Sequence, residues 1–397
     1  TQSHLYRRLA GRERRELQRE ILSLLGLTHR PNPTNHVFRT SAPMYMLGLY
    51  NSAWIFNEVG VFEESSDQMR SPQDFNAAGG TYDSLATNGV ERRLLDDSDL
   101  VMSFVNTKQP RADFSPAELR RILKRFRSFY FNMGRVSDNE QLTAAKFRLY
   151  KERSDDVMGN QTIRVNVYQA MLDPAGSPSV YLLGSRLVGS FEEGWLVYDV
   201  TSAVRDWIVT GNNMGLKITV ENIDGNSYMK PQRVGVVGRR GEAAKQAFLV
   251  AFFAQGEDSL HEQLRRRVKR SPPIDEEFDE EEDWTDGQRK KPEPCHRKRL
   301  HVSFRDLGWE SFVLAPPDYA AYRCSGGCAF PLNAHTNATN HAIIQSLVST
   351  VVSTSTVPMP CCSPTKLLSL AFLYQDEAQN VLYKKFKDMV VLSCGCK

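Results

Sequence analysis

Leu5, Leu9, Leu17, Ile21, Leu24 and Leu25 recur at roughly helical spacing through arginine-rich sequence, and the pattern stops before Gly26 and Pro31-Asn-Pro. This predicts a long amphipathic helix, either packed within its own domain or laying its apolar stripe on a partner surface. Residues 57–90 are rich in Ser, Asn, Gly and Asp without clear periodicity and predict a mostly irregular stretch. An apolar face returns at Asp99-Leu-Val-Met-Ser-Phe-Val-Asn. Residues 116–126 then predict a basic helix carrying Leu119, Ile122, Leu123 and Phe126, its charged side read as a solvated face.

From residue 142 the period changes to that of strands. Lys146-Phe-Arg-Leu-Tyr, Thr162-Ile-Arg-Val-Asn-Val-Tyr and Leu216-Lys-Ile-Thr-Val alternate or nearly so, and residues 248–254 form a short apolar run typical of a buried strand. Trp195-Leu-Val-Tyr-Asp-Val-Thr leads into a short helix at Ser202-Ala-Val-Arg-Asp-Trp-Ile, with Thr201 or Ser202 placed to cap it. Together these predict an antiparallel, sandwich-like domain with one or two helices. Towards the C-terminus, strand patterns fall at 300–304, 312–314, 319–324, 367–374 and 389–394. A helix is predicted over 340–352, with Ile343, Ile344, Leu347, Val348 and Val351 on one side.

Length and charge divide the chain further. At 397 residues it accommodates two or three domains. The formal net charge of +3 hides segregation: residues 271–294 hold three basic and ten acidic residues, whereas 295–397 hold ten basic and six acidic. The stretch Asp275-Glu-Glu-Phe-Asp-Glu-Glu-Glu-Asp is too charged to bury a core, and disorder is expected there. Just before it lies Leu264-Arg-Arg-Arg-Val-Lys-Arg-Ser, a basic run where two composition regimes meet. An exposed linker of this kind suits a protease. Arg267, Lys269 and Arg270 fit the Arg-x-Lys-Arg pattern of furin-like convertases, with Ser271 following the cut. No apolar run approaches membrane-spanning length. Thr1-Gln-Ser-His lacks the regions of a secretion signal, so the numbering is expected to begin after one has been removed.

All seven cysteines fall in 295–397: Cys295, Cys324-Ser-Gly-Gly-Cys328, Cys361-Cys362 and Cys394-Gly-Cys396. Clustering of this kind reads as a disulfide framework in an oxidising compartment, although spacing alone does not give connectivity. Residues two or four apart on an extended chain share a face, so Cys324 and Cys328 can meet Cys394 and Cys396 as two bridges side by side. Gly326, Gly327 and Gly395 inside that ring suggest either a close approach to the backbone or unusual dihedrals. A third bridge from Cys295 can be what passes there, and of the neighbours Cys361 and Cys362 only one can face inward to meet it. The other faces outward, and an odd exposed cysteine implies a covalent homodimer. Zinc is disfavoured even with His296, His335 and His341 nearby, because seven thiols at these spacings match structural zinc sites poorly. No metal or cofactor is expected. The adjacent carboxylates Asp96-Asp97, Asp155-Asp156 and Glu192-Glu193 project to different sides, and no phosphate loop, metalloprotease motif or nucleophile elbow occurs, which argues against an enzyme.

The cysteine pattern, with Phe330-Pro331-Leu332 and Asn337-Ala-Thr-Asn-His-Ala between, resembles the cystine-knot growth factors of the transforming growth factor beta superfamily. The likeness is greatest to bone morphogenetic protein precursors of the osteogenic or glass-bottom-boat subgroup. More loosely, the stretch from Arg12 to Leu27 resembles the first prodomain helix of that family, and Ser41-Ala-Pro-Met-Tyr its following segment. The resemblance implies an N-terminal α+β prodomain over 1–270, with a helical region to about 130, a β-rich sandwich-like arm to about 256 and a linker at 257–270. An acidic arm at 271–294 and a small all-β cystine-knot growth factor domain with one helix at 295–397 follow. It also implies bridges Cys295–Cys362, Cys324–Cys394 and Cys328–Cys396, with Cys361 joined to its symmetry mate. A domain this thin depends heavily on such bridges, at about 2–4 kcal/mol each.

By the same resemblance, Trp309, Phe312, Phe330, Pro331, Leu332 and Asn340 form a type I receptor surface with the partner chain. Ala315, Ala371 and Leu373 form a type II surface. Phe312 stands where these ligands usually carry a second tryptophan, which bears on the choice of type I receptor. Asn160 and Asn337 begin glycosylation sequons. Arg289, Lys290 and Lys291, with Arg297, Lys298 and Arg299, flank Cys295 as a candidate heparan sulfate contact. The expected protein is a secreted, extracellular ligand precursor. Its partners are a second copy or a related ligand, its own prodomain held non-covalently, both classes of serine/threonine kinase receptor, and extracellular antagonists; nucleic acid is not among them. The competing expectation is a secreted cystine-knot antagonist or matrix-binding protein.

Overall fold

The computed structural model describes residues 22, 27, 30–31, 40–61, 89–108, 127–137, 140–154, 161–172, 178–225, 227–255, 293–332, 336–351 and 357–397. Most of the first predicted helix, the basic helix at 116–126, the convertase motif and the acidic arm lie outside these residues. The chain forms two compact units. The first comprises 1–254 together with 309–315 and 373–383, and the second comprises the remainder.

In the first unit, helix α1 (Ser41–Val61) opens with Pro43 in its first turn, where the missing N–H costs nothing. Ala42, Tyr45, Met46, Leu49 and Tyr50 are buried. No proline follows to stop the helix, so it runs to Val61, and α2 (Gly89–Asp96) begins at Gly89. The irregular stretch expected over 57–90 is therefore helical at both ends. The polar composition there lowered helical periodicity without removing helical propensity.

Strand β1 (Leu100–Val105) pairs with β9 (Phe248–Gln255), Leu100 opposite Phe253 and Val105 opposite Phe248. Both strands are buried almost throughout, which explains their nearly continuous apolar sequence. β3 (Glu140–Lys151) pairs antiparallel with β6 (Gly194–Asp199). The sheet of the first unit has the order β12-β15-β16-β1-β9-β3-β6, where β12 is Val313–Ala315, and β15 (Cys362–Gln375) and β16 (Val381–Cys396) contribute residues 373–375 and 381–383 to this unit. The second sheet has the order β2-β7-β4-β5, from β2 (Arg127–Phe129), β4 (Thr162–Leu172), β5 (Pro178–Gly189) and β7 (Leu216–Asn222), with β8 (Tyr228–Met229) on β7.

The core lies between these sheets. The Phe147 ring on β3 meets Phe129 at 5.2 Å and Phe131 at 5.8 Å, and the Tyr198 hydroxyl on β6 donates to the Val165 carbonyl on β4 at 3.1 Å. The Lys151 ammonium is wholly buried and donates to three backbone carbonyls, Glu152 (3.1 Å), Ser190 (2.8 Å) and Glu192 (2.8 Å). It ties the β5–β6 turn to β3. The buried Arg148–Glu91 ion pair, with Tyr45 donating to the same carboxylate at 3.2 Å, fastens α1 and α2 to the sheet. Helix α3 (Thr201–Thr210) buries Ala203, Val204 and Trp207. Its start is not capped by Thr201 or Ser202 as expected. Thr201 Oγ1 instead accepts from the Ala145 N–H at 2.9 Å, and Asp199 Oδ1 accepts from the Thr201 N–H at 3.0 Å.

In the second unit, β10 (His296–Lys298) pairs with β14 (Arg323–Ser325), and β11 (His301–Ser303) with β13 (Asp318–Ala320). The single strand expected at 319–324 is thus two. Ala321 and Tyr322 both donate to the Leu300 carbonyl, and Tyr322 takes a φ of 57°, which turns the chain between them. The rings of Phe304, Tyr319, Phe372 and Phe386 form the small aromatic core, Phe372 lying 5.3 Å from both Phe304 and Phe386. Helix α4 (Asn340–Val351) completes the unit.

Candidate functional site

Cys295 is bonded to Cys362, Cys324 to Cys394 and Cys328 to Cys396, with Cα separations of 5.4, 5.7 and 5.8 Å. β14 supplies Cys324, the segment just after it Cys328, and the end of β16 Cys394 and Cys396. The bridged Sγ atoms of Cys295, Cys328 and Cys396 lie within 4.8 Å of one another, a consequence of stacked disulfides. Bonded in this way, they do not form a metal-binding thiolate set. His296 and His341 are not part of that cluster, and His335 lies outside the described residues.

Gly326 takes a φ of +112°, and a Cβ there would sit 2.4 Å from the Pro294 carbonyl oxygen. A Cβ at Gly395 would sit 2.4 Å from the Asn337 carbonyl oxygen. The glycines therefore admit neighbouring backbone at two sides of the ring. The Cys295 N–H donates to the Gly327 carbonyl and the Gly327 N–H to the Glu293 carbonyl, which seats the first cysteine beside the ring.

Cys361 is exposed and is a free thiol. Its backbone exchanges two hydrogen bonds with Lys397, at 2.9 and 3.0 Å, so the C-terminal residue holds the thiol's position. Helix α4 turns Ala342 and Ser346 inward and leaves Ile344 at 60% and Val351 at 70% exposure. The apolar side predicted from its sequence is thus largely uncovered in a single chain.

The expected receptor residues divide in two. Phe330, Pro331 and Asn340 are exposed and Leu332 half-buried. In the first unit, however, Trp309 is only 5% exposed, and Phe312 and Leu373 are fully buried; Ala315, the strand partner of Leu373, is buried with them. Ala371 is half-buried. Asn337 is exposed, with a φ of 43°, and its Nδ2 donates to Thr365 Oγ1 at 3.3 Å. Arg297, Lys298 and Arg299 are exposed on and just after β10. Asn160, Arg267, Lys269, Arg270, Ser271, Arg289, Lys290 and Lys291 lie outside the described residues.

Within the first unit, residues 373–383 make contacts that the sequence reading missed. Ser103 Oγ accepts from the Val381 N–H at 3.1 Å and donates to the Val381 carbonyl at 3.2 Å. Arg135 pairs with Glu377 at 2.7 Å, and the Tyr50 and Tyr383 rings meet edge to face at 6.2 Å. Burial pushes the Tyr50, Tyr374 and Tyr383 hydroxyls up and keeps them neutral. Burial also raises the Asp376 carboxyl, although Asn380 donates to it through its N–H (2.9 Å) and Nδ2 (3.0 Å). One signal was available in advance: Ser103 is the lone polar residue inside an apolar strand, and a buried hydroxyl requires a partner.

The TGF-beta propeptide family model matches residues 1–252, and the transforming growth factor beta like domain model matches residues 294–396. Bone morphogenetic protein 8A of Mus musculus is 36% identical over 403 residues, covering 98% of this chain and 92% of the relative. The protein DVR-1 homolog of Strongylocentrotus purpuratus is 33% identical over 423 residues, covering 97% and 86%. Protein 60A of Drosophila virilis is 32% identical over 418 residues, covering 100% and 91%.

Proposed function

We infer function from the premise that this chain belongs to the transforming growth factor beta superfamily, as a bone morphogenetic-type precursor that joins a propeptide to a growth factor domain. The family is one of secreted ligands and not of enzymes, and its members form dimers and bind their propeptides. A convertase cuts after Arg270 of this chain, and the C-terminal part is secreted as a dimer linked through Cys361, with a second copy or a related ligand. The dimer performs no chemistry. It joins type I and type II serine/threonine kinase receptors by bivalent contact and so activates SMAD signalling.

The observation that carries this reading is the free, exposed Cys361 beside three closed bridges. An outward thiol held by paired backbone bonds to Lys397 is positioned to bond a symmetry mate. The uncovered side of α4 supports it, since Ile344, Leu347 and Val351 need an apolar partner that one thin chain does not provide. The type I surface comprises Trp309, Phe312, Phe330, Pro331, Leu332 and Asn340, and the type II surface Ala315, Ala371 and Leu373. Ala315 and Leu373 are buried in this chain and pair with each other across two strands, so type II binding through them requires that they become exposed.

Secreted wild-type protein is compared with Cys361→Ser and Arg270→Ala on reducing and non-reducing gels, alongside a SMAD reporter assay. The wild-type C-terminal fragment should run as a dimer that reduction or Cys361→Ser converts to monomer, and Arg270→Ala should leave the chain whole and silent. An uncut, monomeric wild-type chain that still drives the reporter refutes the reading.

A further inference from the structure

The second sheet of the first unit ends in β5, which pairs with β4 along its length and with no other strand among the described residues. At twelve residues it is a long edge, and such edges are normally blunted by lysine, by an interior proline or by a bend. Here the only proline is Pro178, at the first position, and the only charge is Arg186. That charge is turned back on the sandwich: Nε donates to the Val197 carbonyl at 3.0 Å, and the guanidinium lies 5.9 Å from the Tyr198 ring. Val180, Leu182 and Leu187 are exposed, and Tyr181 is 63% exposed. The edge therefore invites a further strand.

The register against β4 fixes which way these side chains face. Gly184 and Arg186 lie opposite Val167 and Val165, both fully buried, and so face the core. Ser185 and Leu187, opposite Asn166 and Arg164, take the outer face. A bulge at Leu183 then reverses the alternation, so that Leu182 and Val180 are outward, opposite Tyr168 and Ala170, and Tyr181 is on the core side, opposite Gln169. Two copies of one strand pair antiparallel about a two-fold axis. With the axis between Leu183 and Gly184, Leu182 meets Ser185, Tyr181 meets Arg186 and Val180 meets Leu187 of the second copy. Every pair shares a face because each spans the bulge. A shift of one residue sets outward side chains against core-side ones.

We propose that β5 is a self-association surface of the propeptide, pairing antiparallel with β5 of a second copy so that their two sheets become one. The occupant is a copy of this chain because the strand complements itself: two Val180–Leu187 pairs cover apolar surface, and each Tyr181 ring receives an Arg186 guanidinium. A seam one strand wide is smaller than the roughly 1,200–2,000 Å² of stable complexes, so it forms readily only at high protein concentration or between copies already linked.

The propeptide has no cysteine of its own, so introduced thiols report the register. Leu182→Cys with Ser185→Cys is made in the full chain carrying Cys361→Ser, where no native thiol is left outside the three bridges and the result is independent of growth-factor dimerisation. Propeptide should cross-link to propeptide, as a double-mass band that reduction removes. Leu182→Cys alone, three residues out of register, and Val209→Cys, exposed on α3, should not cross-link. As a second measurement free of added thiols, β5 amides of the unmodified chain should exchange about tenfold more slowly than those of Val180→Lys with Leu187→Lys, at an unchanged melting temperature. Absent cross-linking together with equal exchange overturns the proposal. Equal cross-linking through Val209→Cys signals random collision and overturns it as well.

Discussion

Gly395 lies between two cysteines that both have to close, and its replacement by alanine tests the knot directly. The added Cβ would stand 2.4 Å from the Asn337 carbonyl oxygen, 2.8 Å from Thr365 Cγ2 and 3.2 Å from the Asn337 carbonyl carbon. Two of these three are backbone atoms, and no rotamer change moves them aside. The approach is also pinned from both sides: the Thr339 N–H donates to the Cys396 carbonyl at 3.2 Å, and Asn337 Nδ2 donates to Thr365 Oγ1. Relief therefore requires shifting residues 394–396, which carry the bridges to Cys324 and Cys328. Those bridges close separations of 70 and 68 residues, for which chain entropy alone gives about 4 kcal/mol each. Losing either one removes much of the roughly 5–15 kcal/mol that holds a domain folded. Gly395→Ala should abolish secretion of the disulfide-linked dimer and leave free thiols titratable in the retained protein. Gly48→Ala in α1 is the control, because an added Cβ there meets nothing within 4 Å and should be neutral or stabilising by up to about 1 kcal/mol. Secretion of a Gly395→Ala dimer with fully oxidised knot cysteines and an unchanged melting temperature would refute the close-packing argument.

Lys151→Met should destabilise the propeptide by about 3 kcal/mol or more, because it leaves the Glu152, Ser190 and Glu192 carbonyls without their donor; denaturant unfolding of the secreted propeptide measures this. Ser103→Ala removes both side-chain hydrogen bonds to Val381 and should weaken non-covalent retention of the propeptide by about 5- to 30-fold, read from its dissociation constant for the mature dimer. Retention unaffected by Ser103→Ala would mean that these bonds do not hold the cleaved parts together. Burial raises the Asp376 pKa, so the folded state binds that proton more tightly than the unfolded chain does. The stability contributed is present at low pH and is lost as pH rises above the unfolded value, near 3.9, through the raised one. Asp376→Asn should therefore flatten the acid side of the melting-temperature profile of the uncut chain, and an unaltered profile would count against this sign.

Much of the architecture was legible because the strands answer to local pattern. The run at 248–254 is apolar on every position since β9 is buried on both faces, whereas Lys146-Phe-Arg-Leu-Tyr alternates because β3 turns Phe147 and Leu149 to the core. β5 was missed for the opposite reason. It sits at the sheet edge and leaves Val180, Tyr181, Leu182 and Leu187 exposed, so its apolar positions do not mark an inside. The helix-cap expectation failed because Thr201 Oγ1 was already committed to the Ala145 N–H from another strand, a tertiary demand that no window of sequence contains.

The same distinction separates the two kinds of site residue. Cysteines and their flanking glycines announce themselves, since few folds require Gly326 and Gly395 at those offsets within bridged segments. Trp309, Phe312, Ala315 and Leu373 carry no sign in sequence of whether they face solvent, and in the uncut chain they do not. Their burial accompanies the engagement of residues 373–383 through Ser103, Tyr50 and Arg135, which come from three separate propeptide segments. Trp309, Phe312, Ala315 and Leu373 are thus part of the folded core of the first unit, whereas Phe330, Pro331 and Asn340, expected in the same receptor contacts, are exposed in the second. A serine within an apolar strand was the one local trace of that arrangement, and its unmet hydroxyl was reason enough to look for a partner.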